Sequence, residues 1–297
     1  MNDTGERVLP VVVGIDSSDG SRAAACWAAT YARLIDAPLR LVHVVPDGDW
    51  YGSAAFVDGG ALEDDLRRAG HEYLARASAE ATAAAPGVVV EEVSADGTLP
   101  EVLAAIPSKL VVLGTPRTNA ARDLLLGSNT IRVVNHVQSP VLVWRSAAGS
   151  GSDLRPIVVG VDGSSESDRA FSTALDMAHT LGAPLVGANY WGLAAQTGVG
   201  FAGIGFAAGY IDWDKVRTEE KLWLDTHVSA MRDKFPDVKL STVSASSSPA
   251  RGLQALSSKA LIVAVGSRGR GTLRGAALGS VSQNLLHHAE SAVLIVR

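Results

Sequence analysis

The residues best suited to chemistry lie in one punctuated run, Gly266-Ser267-Arg268-Gly269-Arg270, continuing to Gly279-Ser280-Val281-Ser282. Glycines at 266 and 269 let a chain turn through conformations closed to residues with a Cβ, and they let backbone N–H groups approach an anion. Gly279-Ser280 is predicted to open a helix, where free N–H groups, the helix dipole and the Ser280 and Ser282 hydroxyls favour a phosphate. Arg268, Arg270 and Arg274 bring positive charge to the same stretch. A second candidate is Asp162, set ahead of a Gly163-Ser164 turn, with Asp16 as its earlier echo. A carboxylate there accepts hydrogen bonds from ribose hydroxyls or caps the following helix, and the residues alone leave both readings open.

The echo extends along the whole chain. Val11-Val12-Val13-Gly14-Ile15-Asp16 returns as Ile157-Val158-Val159-Gly160-Val161-Asp162, and Ala37-Pro38-Leu39 returns as Ala183-Pro184-Leu185 at the same spacing. Gly114 then matches Gly266, Gly127-Ser128 matches Gly279-Ser280, and Ser139-Pro140-Val141-Leu142-Val143 matches Ser291-Ala292-Val293-Leu294-Ile295, at a spacing six residues longer. Register held on both sides of one gap marks a duplication. The insertion falls in Gly192–Gly209, a Gly/Ala-rich stretch read as a surface loop. The expected boundaries are a first domain over 1–146, a small-residue linker over 147–153 and a second domain over 154–297.

Each copy reads as five strands alternating with four helices. In the first copy the strands are expected near 8–14, 38–45, 87–93, 109–114 and 140–144. Their apolar runs are nearly continuous, as in strands covered on both faces, and alternation with Ala-rich helices predicts a parallel, doubly wound α/β sheet. Ligands of such sheets bind beyond the carboxyl ends of the strands, where strand order reverses. Those ends, after strands one and four, are where the candidate residues stand.

The pattern Gly-x2-Gly-x9-Gly-Ser/Thr, with Val-Gly-x-Asp-Gly-Ser at strand one, resembles the ATP-binding class of universal stress proteins. The resemblance covers nearly the whole chain twice, and is similar to the tandem form found in mycobacteria and other actinobacteria. It implies two flavodoxin-like, adenine-nucleotide α-hydrolase-like domains with strand order 3-2-1-4-5. ATP, with or without Mg2+, would lie between strands one and four. On matching positions Asp162 would meet the ribose and Gly160 would lie beneath the nucleotide. Gly266, Ser267, Arg268, Gly269 and Arg270, with Gly279, Ser280, Val281 and Ser282, would hold the phosphates, and Tyr190, bulkier than the Val or Ala usual at that position, would stack on adenine or crowd it. The first copy supplies Gly14, Asp16, Val44, Gly114, Gly127 and Ser128, but its second loop glycine is Arg117. A left-handed conformation there would be costly, Pro116 removes a backbone donor, and Asp123 adds negative charge. Arg117 could instead offer its guanidinium to phosphate. The second copy is therefore expected to be the more secure site.

The wider composition fits a soluble, cytoplasmic protein. Hydrophobic residues make up 47% of 297, the net charge is −5, and no basic surplus speaks for nucleic-acid binding. The single cysteine, Cys26, reads as a small core residue. No apolar run approaches the roughly 20 residues of a membrane span. His287-His288 lacks further metal ligands at useful spacing, His43 reads as structural, and Trp50, Trp191, Trp213 and Trp223 read as packing anchors. No Walker A loop, dinucleotide fingerprint or nucleophile elbow occurs, so catalytic and metal residues are expected to be none. Three functions follow in order: an ATP-binding stress regulator with a signalling partner, an interaction scaffold with incidental nucleotide, and a slow ATPase or nucleotidyl transferase. The resemblance also implies pairing through the fifth strands, within the chain or in a homodimer.

Overall fold

A computed structural model describes residues 8–46, 59–115, 127–145, 155–191, 211–270 and 278–297. The chain divides into two compact units, Met1–Gly151 and Ser152–Arg297. The linker at 147–153, the insertion and Arg117 with its neighbours lie outside the described residues.

In the first unit the elements are β1 (Val11–Gly14), α1 (Asp19–Leu34), β2 (Leu39–Val45), α2 (Gly59–Ala84) and β3 (Val90–Asp96). They are followed by α3 (Leu99–Ala105), β4 (Leu110–Gly114), α4 (Ser128–His136) and β5 (Val141–Trp144). All its strand pairs are parallel, in the order β3-β2-β1-β4-β5. The second unit comprises β6 (Ile157–Gly160), α5 (Ser165–Leu181), β7 (Leu185–Trp191), α6 (Trp213–Arg232), β8 (Leu240–Ser246), α7 (Pro249–Ser257), β9 (Ile262–Gly266), α8 (Ser280–His288) and β10 (Ala292–Val296). Its strands run parallel in the order β8-β7-β6-β9-β10. Both units thus have the 3-2-1-4-5 order that the resemblance implies.

Burial explains the strands. Val11, Val12 and Val13 are wholly buried, as are Ile157 and Val159, because helices cover both faces of a parallel sheet. The helix α1 buries Ala24, Ala25, Ala28, Ala29 and Ala32 on one stripe, and α5 buries Ala170, Phe171, Ala174, Leu175 and Ala178. Small residues on that stripe let the helices lie close to the sheet. Cys26, on α1, is half-buried rather than a core residue. Burial and the nearby Glu80 push its thiol above its ordinary range.

One strand is displaced from its expected place. Residues 87–93 read as the third strand, but Gly87 takes φ 90° and the Val88 N–H bonds the Ala85 carbonyl, so the chain is still turning there. Pairing starts at Val90 opposite Leu39 and runs on to Asp96 opposite Val45. This is an edge strand, where polar residues such as Glu91, Glu92 and Ser94 are tolerated and the apolar signal is weak.

Helices α1 and α5 end alike. The Asp36 and Ala37 N–H groups bond back to the Arg33 and Ala32 carbonyls, as Gly182 and Ala183 do to His179 and Ala178. Both helices turn out through a left-handed residue, Asp36 at φ 52° and Gly182 at φ 64°.

Their beginnings set the distance to the fourth strand of each sheet. A Cβ on Gly114 would lie 2.2 Å from the Gly20 carbonyl oxygen, and one on Gly266 would lie 2.8 Å from Glu166 backbone. Neither Gly266 nor Gly269 has φ in the left-handed region, contrary to the reason first given for them. What they require is space. Gly114→Ala and Gly266→Ala are therefore expected to destabilise their own units by about 1–3 kcal/mol, since backbone must shift to admit the methyl group. Urea denaturation of each variant would check this, with the Gly114 substitution the more damaging.

Candidate functional site

At the head of the second unit, β6 ends at Gly160 and the chain turns through Asp162 and Gly163 into α5. Ser164 is the N-cap, and its hydroxyl accepts the Ser167 N–H at 3.2 Å. Asp162 is one step removed: its Oδ1 accepts the Ser164 N–H at 2.9 Å and the Ser164 hydroxyl at 2.6 Å. The first unit repeats this with Ser18 as cap and Asp16 accepting from Ser18. Capping thus belongs to the serines, and each aspartate braces the serine that caps.

The other Asp162 oxygen reaches across to the loop after β9. Asp162 Oδ2 accepts the Arg270 N–H at 3.1 Å, and a Cβ on Gly269 would fall 2.4 Å from that oxygen. Burial pushes the Asp162 carboxyl up, but the bonds from the Ser164 side chain and the Ser164 and Arg270 backbones outweigh it and hold the pKa below its ordinary value.

The phosphate-type loop is anchored at both ends. The Ser267 N–H donates to the Val296 carbonyl at 2.6 Å, and the Gly279 N–H donates to the Ser267 carbonyl at 2.8 Å. Ser282 is buried and its hydroxyl donates to the Gly266 carbonyl at 2.8 Å. That hydroxyl therefore ties the loop down instead of facing a ligand as its position suggested. Ser280 is exposed, and Val281 is half-buried on the same first turn. Gly279 caps α8 with no side chain, so among the described residues no side-chain cap takes up its first-turn N–H groups, unlike those of α5. In the first unit α4 begins in the same way, on Gly127 ahead of Ser128.

Arg268, Gly269 and Arg270 are all exposed. Arg268 lies near enough to Glu166 and Arg297 for its charge to help lower the pKa of each, after hydrogen bonding from Ser165 for the first and burial for the second.

The remaining residues singled out from the sequence have the following surroundings. Tyr190 lays its ring against α7, where a Cβ on Gly252 would meet it at 2.4 Å. A Cβ on Gly160 would meet Leu253 of the same helix at 2.9 Å, and one on Gly14 would meet Leu113 at 3.0 Å. Val44 is half-buried on β2. His43 Nδ1 lies 2.8 Å from the Ile15 carbonyl, and its ring packs edge-on to Tyr73, a structural role as expected. Trp191 is buried with its Nε1–H on the Ser244 hydroxyl at 3.1 Å. His287 and His288 are exposed. No group of three or more His, Cys, Asp or Glu among the described residues is placed to hold a metal, and no helix among them is long and apolar enough to cross a membrane.

Two residues missed from sequence join the site. Gly163 has φ 77°, and the space beyond it is filled by Arg270 and by Trp223 of α6, which had read as a packing anchor. The available signal was the exchange of Ser17 for Gly163 between the copies.

The sequence matches the universal stress protein family over residues 8–145 and again over 154–297. A universal stress protein of Mycobacterium tuberculosis, Rv2005c, is 33% identical over 293 residues, spanning 97% of this chain and 96% of that one. A universal stress protein of Mycolicibacterium smegmatis is 30% identical over the same length. Among solved structures, a universal stress protein from Archaeoglobus fulgidus superposes with TM-score 0.70 at 17% identity, covering 97% of this chain and 98% of that one, a likeness of fold.

Removal of the bridging carboxylate gives a direct test of the site's framework. Asp162→Ala is expected to cost the second unit roughly 1.5–3 kcal/mol, the usual worth of hydrogen bonds to a charged group. Because the folded pKa is depressed, the part of that stability that depends on the carboxylate's charge is complete above the unfolded value of about 3.9 and is lost as pH falls through the folded value. Denaturation curves of wild type and variant should accordingly converge below about pH 4.

Proposed function

The chain belongs to the universal stress protein family, and on that premise we propose that its second unit binds ATP as a regulatory ligand of the stress response. The observation that carries this reading is the contrast between helix starts. The N-terminus of α5 is closed by the Ser164 hydroxyl, whereas that of α8 is capped by a glycine and stands beside a cationic loop. Phosphate oxygens fit there, accepting from the first-turn N–H groups of Ser280, Val281 and Ser282 and pairing with Arg268 and Arg270. The absence of a Cβ on Gly269 keeps the approach open. Asp162 already bonds its own chain, so a ribose hydroxyl would use a remaining lone pair of Oδ2 or displace the Arg270 N–H. Mg2+ would accompany the phosphates, supplying charge neutralisation.

Binding regulates only through unequal affinity for two conformations. Residues 268–270 are the natural segment to differ between them, since they are exposed and bond the turn after β6 through the Arg270 N–H, whereas Gly266 and Ser267 are buried and held by Ser282 and Val296. No base or nucleophile is assigned, and turnover forms no part of the proposal. In the first unit Arg117 stands where Gly269 does in the second, and we propose that its nucleotide site is the weaker.

A scaffold reading draws on the same Asp162, because its oxygens are satisfied without nucleotide. Calorimetric titration with ATP and Mg2+ separates the two. Saturable binding is expected, weakened at least tenfold in Gly269→Arg and Gly279→Glu, variants that fill the approach or place a negative charge at the helix start. Failure of the folded wild-type protein to bind at millimolar ATP would favour the scaffold.

A further inference from the structure

Beside the phosphate loop of the second unit, an arginine is parked on a tryptophan. The Arg270 guanidinium carbon lies 5.6 Å from the centroid of the Trp223 ring, within cation–π range. One turn on along α6, His227 stacks on Trp223 at 5.1 Å with planes 19° apart. The Nε2 atom of His227 is 2.7 Å from Asp168 Oδ1 on α5. The indole is thus held in place by a group that is itself anchored to a second helix.

The arginine lies across the turn that follows β6. A Cβ on Gly163 would meet Arg270 Nη2 at 2.5 Å and Trp223 Cζ2 at 2.9 Å, so the turn admits the pair only because residue 163 is glycine. Gly163 is next to Asp162, the carboxylate assigned to the sugar. Meanwhile the Arg270 backbone is fixed by its N–H bond to Asp162 Oδ2, which leaves the exposed side chain as the part free to swing. In the first unit Ser17 replaces Gly163 and Thr118 replaces Arg270, so the arrangement has no sequence counterpart there.

Resting on the ATP-binding reading, we propose that Arg270 and Trp223 form a latch on the nucleotide site of the second unit. Trp223 holds Arg270 across the entrance and raises the affinity threshold for every ligand, while the released Arg270 favours polyphosphates over nucleosides. Seated on Trp223, the guanidinium covers the sugar end of the site. A ligand must displace it to enter. A polyphosphate offers the released guanidinium a new partner and recovers the lost interaction, whereas a nucleoside loses the cation–π contact without return. Arg270 then carries the preference for polyphosphate, and Trp223 is a positioning residue that sets the threshold through Arg270.

The latch predicts that two substitutions act with opposite signs on ATP affinity and with the same sign on adenosine affinity, both read by equilibrium dialysis of the full chain. Trp223→Leu keeps apolar packing but removes the π face, and should strengthen binding of both ligands by roughly two- to fivefold. Arg270→Gln should strengthen adenosine binding similarly while weakening ATP. Trp223→Phe, which retains an aromatic face, should stay near wild type. A Trp223→Leu variant that keeps the wild-type denaturation midpoint but leaves both affinities unchanged, or lowers them, overturns the latch alone. A wild-type protein that binds neither ligand overturns the ATP-binding reading together with it.

Discussion

Everything at the head of the second unit depends on how closely the first turn of α5 crosses the end of β9. Gly266 permits that crossing, since a methyl group there would press on Glu166 backbone. The crossing brings the β6 turn beside the loop after β9, and only then can one carboxylate, Asp162, serve both Ser164 and Arg270. Loop, strand end and helix start form one hydrogen-bonded assembly. The first unit keeps the same crossing at Gly114 and Gly20 and the same brace between Asp16 and Ser18.

Most of the architecture was legible because buried parallel strands write themselves as unbroken apolar runs, as Val11-Val12-Val13 and Ile157-Val158-Val159 do. The duplication then checked each element against its twin. The edge strand β3 was misplaced because its outward residues carry no such signal. Gly266 and Gly269 were recognised, but backbone angle was the wrong part of the reason: a sequence shows that a Cβ is missing, but not whether backbone angle or a neighbour forbids it. The Ser282 hydroxyl, read as favouring a phosphate, bonds the Gly266 carbonyl instead, since the direction of a hydroxyl depends on which carbonyls tertiary folding brings beside it. Trp223 lies outside the motif altogether, on a helix whose contact with the loop is set by packing.

The two kinds of helix start give the site its physical character. A serine that caps its own helix removes a place for ligand, whereas a glycine leaves backbone donors unspoken for. The chain uses the first device at α1 and α5, where the helix must be held against the sheet. It uses the second at α4 and α8, beyond the fourth strand of each unit. Within each unit a serine-capped start follows strand one and a glycine-capped start follows strand four, and the charged residues 268 and 270 stand near the latter in the second unit.

The left-handed residues that end α1 and α5 carry a further meaning. Asp36 and Gly182 occupy the same point in two copies of one topology, at φ 52° and 64°. A Cβ in that conformation costs up to roughly 1–2 kcal/mol, less for aspartate than for most residues, an expense that falls on the first copy and not on the second. Duplication has made the molecule its own reference state: the same bend is executed twice in the same solvent, once with the strain and once without it.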